Sequence, residues 1–490
     1  MHLYRERAEM SPDTIGFALL LLGVLLLLAK IIRVKWRLAQ RLFIPSSIIG
    51  GGLALILGPD VLGRVASAFG ADGFTESGLF TADILEVWGS LPSLLISVVF
   101  AALFLGHRLP GFREVSTVAG PQIAFGLTLA SGQYVLGILL ALLVLGPVFG
   151  LPVLSGALIE IGFEGGHGTA AGLGNTFAEF DFAEGQDLAL GLATVGLLSG
   201  IVIGITLINW AVRTGRTTEL HQNATPSVTE QAGLVEKQRR RSAGTLTVHP
   251  SSIEPLTLHF GLLAVAVIIG WLLLSALQWV ESFTWAGTIE LFAHVPLFPM
   301  AMIGGIVVQL AIQSFDRHEV VDRQLIERIQ GFSLDTLIIA ALGTLSLQVI
   351  AENLGPFLLL LVTGLLWSVL SLVLLAPRMM PDHWFERGIG DMGQSLGVTA
   401  TGLILLRIAD PELRTPAYPA FGYKQLALEP FFGGGLVTAA AIPLLANFGA
   451  GWMLGGMVVL LIGSLAVGLL HFGRRRQPPG EPATVPFEQA

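Results

Sequence analysis

Apolar runs long enough to cross a bilayer recur along the whole chain, and the few charged residues gather in short stretches between them. Runs such as 15–29, 256–278 and 453–471 extend, at about 1.5 Å per residue, over or nearly over the roughly 30 Å of a hydrocarbon core. In that solvent every backbone N–H and C=O must find its partner inside the protein, which leaves helices or a closed barrel. Alternating ten-residue strands are missing, so the expected fold is an all-α integral membrane protein. Composition agrees: 53% of residues are hydrophobic and 13% charged, against roughly 25% charged in soluble domains.

The apolar segments fall near 13–29, 43–62, 88–105, 118–146, 188–212, 256–280, 295–314, 333–351, 356–376, 426–446 and 450–471. The first run is followed by Lys30, Arg33, Lys35, Arg37 and Arg41 rather than by a small-residue cleavage pattern, so it reads as a span and not as a signal peptide. With the N-terminus outside and the C-terminus inside, the segments 30–41, 107–113, 213–255, 316–330, 378–387, 407–424 and 474–476 lie inside. They hold every Lys and Arg except Arg5, Arg7 and Arg64, as the positive-inside rule demands. The outside segments are acidic, with Asp72, Glu76, Asp83 and Glu86 in one and Glu179, Asp181, Glu184 and Asp187 in another. A multi-pass protein of the bacterial cytoplasmic membrane is expected. The absence of cysteine excludes disulfides and thiolate metal sites, and no nucleic-acid partner is expected.

Two motif pairs divide the chain. His167-Gly-Thr-Ala-Ala-Gly-Leu173 has a counterpart in Gly397-Val-Thr-Ala-Thr-Gly-Leu403, and Pro45-Ser-Ser-Ile-Ile-Gly-Gly51 one in Pro299-Met-Ala-Met-Ile-Gly-Gly305. The charge-based orientation works only if about 151–185 and about 388–424 enter the membrane and return to the side they came from, as re-entrant hairpins that open from opposite faces. The expected organisation is therefore two inverted-topology repeats, each of five transmembrane helices plus a hairpin. The first repeat is 1–212 and the second 256–446. A cytoplasmic linker, 213–255, rich in polar residues and expected to be flexible, joins them. An extra helix at 447–473 and a cytoplasmic tail at 474–490 complete the chain. In inverted repeats the substrate site is expected near the midplane, at the repeat interface.

Three glycines in Gly165-Gly166-His167-Gly168-Thr169 predict an unwound tip, each costing a helix about 1 kcal/mol relative to Ala. Thr169 stands where an N-cap would, so the free amides of the second arm would face the tip and receive a carboxylate. Thr399 has the same place in the second hairpin, among Ser395, Gly397 and Thr401. Helix-end carbonyls there could ligate a cation such as Na⁺. Single glycine motifs such as Gly50-Gly51-Gly52 stay with close helix packing. Glu160 and Glu164 share one face of the first arm, and an ionisable group at membrane depth is a functional suspect unless it sits in the outer water layer. His167 either donates to an anionic substrate, carries a proton, or holds the loop through a backbone carbonyl. Asn175, Asp391 and Gln394 suit cation coordination or binding of a substrate amino group. Asp335 is a cation ligand or a helix cap. Arg407 either binds a second substrate carboxylate or snorkels to the interface.

Gly165-Gly-His-Gly-Thr169 resembles the Gly-Gly-His-Gly-Thr signature of bacterial sodium/glutamate symporters, and Trp88–Gly106 is similar to that family's third span. The likeness runs over about 13–446, with the span 450–471 additional and the second tip lacking the commoner proline. It implies Na⁺-coupled uptake of glutamate or a closely related anionic amino acid. The implied mechanism is an elevator-like movement of the hairpin-containing core against a dimerising scaffold, hence a homodimer. No cofactor and no catalytic residue are expected; the chain reads as a carrier and not an enzyme. The alternative is a proton-coupled carboxylate transporter or a cation/proton exchanger using Glu164, His167 and Asp335.

Overall fold

A computed structural model describes residues 11–70, 78–107, 112–218, 232–235, 237, 240, 242–284, 292–316, 318–411 and 413–475. Arg5, Arg7, Asp72, Glu76, much of the linker and all but the first two residues of the tail lie outside the described residues. Among those described there is helix and no strand. Among the described residues ten helices are long and apolar enough to cross a membrane, and the chain is a multi-pass membrane protein.

The first half begins with α1 (Pro12–Lys35), α2 (Ser46–Leu57), α3 (Ala82–Ala101) and α4 (Phe112–Leu140). Next come α5 (Leu158–Phe163), α6 (Gly166–Gly172), α7 (Gly174–Glu179) and the long α8 (Glu184–Arg213). The second half has α9 (Pro255–Thr284), α10 (Leu297–Phe315), α11 (Arg323–Gly343) and α12 (Leu354–Leu370). It continues with α13 (Trp384–Ala409), α14 (Ala417–Leu428), α15 (Leu436–Phe448) and α16 (Ala450–Ala466). Starts are capped where the chain enters a helix: the Ser11 hydroxyl accepts from Thr14 N at 3.2 Å and the Asp322 carboxylate from Leu325 N at 2.9 Å. Both α4 and α12 run into a π-helical turn, Ala141–Leu145 and Ser371–Leu375, and then into Gly146-Pro147 or Ala376-Pro377. Each is followed by an interrupted helix.

Helices α1–α3 and α9–α11 form a frame, in which α9 lies along α10, and α11 packs on α2 and α3. The Trp88 indole donates to the Ala18 carbonyl at 3.0 Å and ties α3 to α1. The remaining helices form a second body whose apolar cluster reaches Phe100 and Phe298 on the frame. In it α8 packs on α13 and α16 along α4, where Thr128 and Ser464 share a hydrogen bond of 2.9 Å. The additional C-terminal helix is thus joined to the first half.

Three expectations need correction. The span expected at 426–446 is two short helices, α14 and α15, separated by Glu429-Pro-Phe-Phe-Gly-Gly-Gly435, whose proline and glycines end one helix and delay the next. The span expected at 333–351 starts earlier, at Arg323, and its charged first turns keep α11 out of the ten apolar helices. Lys424 and Arg387, assigned above to cytoplasmic segments, are buried, Lys424 completely. The described linker residues are also anchored: Lys30 donates to the Gly233 carbonyl at 2.6 Å, Thr218 N to the buried Glu386 carboxylate at 2.6 Å and the Thr247 hydroxyl to the Val320 carbonyl at 2.6 Å.

The frame depends on backbone approach. A β-carbon on Gly305 would strike the Ala101 carbonyl, which as backbone cannot yield, whereas Gly52 has open space. Gly305→Val is expected to lower stability by about 1–3 kcal/mol and Gly52→Val to leave it unchanged, measured as thermal unfolding of the detergent-solubilised protein. Equal effects of the two would contradict the packing.

Candidate functional site

Three helix interruptions meet inside the second body. The first lies between α5 and α6, where Gly166 has φ +70°, a conformation that glycine adopts without steric cost. The second divides α13 into arms 384–396 and 399–409, with Gly397 at φ −164°, ψ 44° and Val398 at φ 61°, ψ 172°. For a β-branched residue that conformation is strained by about 1–3 kcal/mol, and such strain persists only where the surroundings impose it. The third is 429–435, between α14 and α15. A β-carbon on Gly166 would strike the Val398 side chain, and one on Gly434 would stand 2.5 Å from the Thr169 hydroxyl oxygen. One on Gly433 would touch the Glu164 carbonyl at 3.4 Å.

A buried polar network holds these breaks together. The Glu160 carboxylate is completely buried and fully used: Oε2 accepts from the Tyr134 hydroxyl at 2.6 Å, and Oε1 from Gly433 N at 2.9 Å and the Thr438 hydroxyl at 2.7 Å. It thereby joins α4, α5, α15 and the third break. The Lys424 ammonium donates to Gln394 Oε1 at 2.6 Å and Gln425 Oε1 at 2.8 Å, and pairs with Asp391 Oδ1 at 3.4 Å. Each amide passes the polarity on. Gln394 Nε2 donates to Glu164 Oε1 at 2.9 Å, and Gln425 Nε2 donates to the Thr399 hydroxyl at 2.5 Å and Glu429 Oε1 at 3.0 Å. The Thr399 hydroxyl donates to Glu429 Oε1 at 2.9 Å.

Not every oxygen is satisfied. Glu164 Oε2, Thr169 Oγ1, Asp391 Oδ2, Ser395 Oγ and Gln133 Oε1 are buried and have no hydrogen-bond partner within the protein. Buried polar atoms are rarely left so, and these five oxygens all lie on or beside the first two interruptions. Four carboxyl groups, Glu160, Glu164, Asp391 and Glu429, belong to this network, of which Asp391 pairs with the Lys424 ammonium at 3.4 Å; Arg387 pairs with Asp382 at 2.8 Å and also donates to Gln122, which donates to Asp391. The arrangement suits a hard cation or a substrate ammonium, both of which take oxygen ligands.

The family model for the sodium/glutamate symporter matches residues 14–408. The chain belongs to that family. No curated protein matches it. The matched stretch of this sodium/glutamate symporter family member includes the first two interruptions; Lys424, Gln425, Glu429 and the third interruption lie beyond it.

Of the residues expected at the site, Glu164, Gly165, Gly166, Thr169, Asp391, Gln394, Ser395, Gly397 and Thr399 come together at the breaks. Unwinding is narrower than the glycine spacing predicts, since His167, Gly168 and Thr169 are helical in α6. Thr169 is therefore not an N-cap: Gly165 holds that place without a side-chain bond, and the Thr169 hydroxyl is left free to point at Gly434. Thr399 likewise bonds Glu429 and Gln425. His167 Nε2 stands 3.0 Å from the Thr194 hydroxyl, which already donates to the Leu190 carbonyl at 2.9 Å, so the ring donates to Thr194 and holds α6 on α8 through a side chain instead of a backbone carbonyl. The Thr401 hydroxyl donates to the Gly397 carbonyl at 2.5 Å, covering an end of the first arm. Arg407 is exposed with its guanidinium 5.9 Å from the Tyr418 ring centre, and Asn175 and Asp335 are exposed on α7 and α11; these three stand outside the network. Tyr134, Lys424, Gln425, Glu429 and the third break are additions. Their signal in the sequence is a proline and three consecutive glycines inside an apolar run, with Lys and Glu beside it.

Contact between the first two breaks gives a test. Gly166→Ala is expected to reduce substrate affinity at least tenfold, and adding Val398→Ala to recover part of that loss by relieving the collision, as read from substrate binding to purified protein. No recovery in the double variant would place the damage in the backbone of Gly166 alone.

Proposed function

We propose that the chain carries glutamate or a closely related anionic amino acid into the cell together with Na⁺. The supporting observation is the set of buried, partnerless oxygens at the meeting point of three interrupted helices, in a network that holds four carboxyl groups. Carboxyl groups outnumber ammonium groups in the network, and an added charge inside a protein interacts strongly: about 4 kcal/mol for a unit pair 4 Å apart at an effective dielectric of 20. A cation that enters before, or with, an anionic substrate offsets its charge. Glu164 Oε2 and Thr169 Oγ1 are assigned to Na⁺. The backbone amides at the starts of α6 and of the second arm of α13, with Thr399, are assigned to the substrate carboxylates, and Asp391 Oδ2 to its amino group.

Coupling follows from differential affinity. Na⁺ neutralises the pocket and favours the arrangement in which the breaks close on the substrate, and a ligand shifts an equilibrium only by the difference in its affinity for the two states. In this reading the halves are inverted repeats, their interrupted helices are re-entrant hairpins, and the N-terminus is outside and the C-terminus inside, on the strength of the Lys and Arg distribution. The second body moves as an elevator against the frame, through which two copies pair in the bacterial inner membrane. The site at the convergence of interrupted helices is the arrangement expected of carriers built from repeats.

Purified protein in liposomes is expected to accumulate L-glutamate only under an inward Na⁺ gradient, and Thr169→Ala and Thr399→Ala each to raise the half-saturating substrate concentration at least tenfold. Accumulation driven by a pH gradient and indifferent to Na⁺ would replace this reading with proton coupling. Success with another dicarboxylate and failure with glutamate would change the substrate alone.

A further inference from the structure

The Lys424 ammonium is an uncommon object at such a site. It is completely buried, lies at the head of two oriented amides, and has oxygen neighbours on three sides, Gln394 Oε1, Gln425 Oε1 and Asp391 Oδ1. Three oxygens around a single positive charge are what a free monovalent cation would seek there. The stem is accommodated by the backbone: a β-carbon on Gly126 of α4 would stand 2.6 Å from Lys424 Cε, so the side chain passes where α4 carries none. A charge of this kind is costly to bury unless paired and hydrogen-bonded, and here two N–H groups donate to amide oxygens while Asp391 supplies the opposite charge.

We propose that Lys424 is a tethered cation. Its ammonium fills a position that would otherwise bind a free Na⁺, and so lowers by one the number of Na⁺ ions that accompany each substrate. The inference rests on the Na⁺-coupled reading above and adds a stoichiometric determinant to it. The ammonium travels with the site. It also fixes the two amides with their oxygens inward, which turns their N–H groups toward Glu164 on one side and Thr399 and Glu429 on the other. Lys424 is thus a positioning residue for both tips, as well as the occupant of the ion position.

Removal of the charge with little change of length gives the test. In Lys424→Met, the oxygens of Asp391, Gln394 and Gln425 are vacated and a free Na⁺ is expected to take the place. The number of ²²Na⁺ ions bound per purified protein, and carried per substrate in liposomes, is expected to rise by one relative to the parent. The thermal stability of the variant is expected to depend more steeply on Na⁺ concentration than that of the parent. Lys424→Met with Asp391→Asn removes both charges and is expected to return the Na⁺ count to the parent value. An unchanged or smaller Na⁺ count in Lys424→Met would overturn the proposal, as would failure of that variant to fold even at high Na⁺. A purely structural lysine would not produce the gain of an ion or its reversal by Asp391→Asn. The parent measured alongside separates the two ideas: a parent that transports without Na⁺ removes the coupling reading, while the gain of a Na⁺ ion in the variant still reports on Lys424.

Discussion

A helix interrupted inside an apolar medium frees amides and carbonyls that no water can satisfy, and each must find a partner within the protein. The described structure follows from how three interruptions meet that demand. They lie against one another, Gly166 on Val398 and Gly434 on Thr169, and they share a set of polar side chains. Glu160 is central to this. With one carboxylate it satisfies Tyr134, Gly433 N and Thr438, so the third break is held by a residue that lies more than 270 positions earlier in the chain.

The oriented amides extend the same logic. Gln394 and Gln425 each accept from Lys424 and donate onward, so one ammonium determines which way both amides face. Hydrogen bonds in such chains polarise one another in a low-dielectric interior. The oxygens left over beside the first two breaks are on Glu164, Thr169, Asp391, Ser395 and Gln133. A pocket completely satisfied by its own groups would have little to gain from binding.

The frame and the second body also differ in what holds them. The frame closes through backbone contact, with Gly305 on the Ala101 carbonyl and Gly304 on the Ala266 carbonyl. Polar links between the bodies include Asp187 accepting from Ser346 N at 3.0 Å, Glu179 meeting His294 at 2.8 Å and the Thr176 hydroxyl donating to the His294 carbonyl at 3.2 Å. The linker touches both, at Lys30 on α1 and at Glu386 on α13.

Much of this was legible in the amino-acid order. Apolar run length implied membrane helices, and glycine clusters at 165–168 and 393–397 marked the first two breaks, because glycine clustering is a local property that disfavours helix wherever it occurs. The third break was not read, since an average over 426–446 is apolar and its glycines look like helix-packing residues. Lys424 was misplaced for a related reason. Counting charge assigns a lysine to the nearest aqueous side, and its burial becomes affordable only when Asp391, Gln394 and Gln425 supply acceptors around it. Arg407, Asn175 and Asp335 were credible on residue type and stand exposed outside the network. The sequence by itself determined the solvent, the helical class and two of the places where helices fail, because these depend on local composition. Which oxygens are satisfied, which are free, and which ammonium sits among them were decided by the tertiary structure, because each depends on contacts between segments tens to hundreds of residues apart.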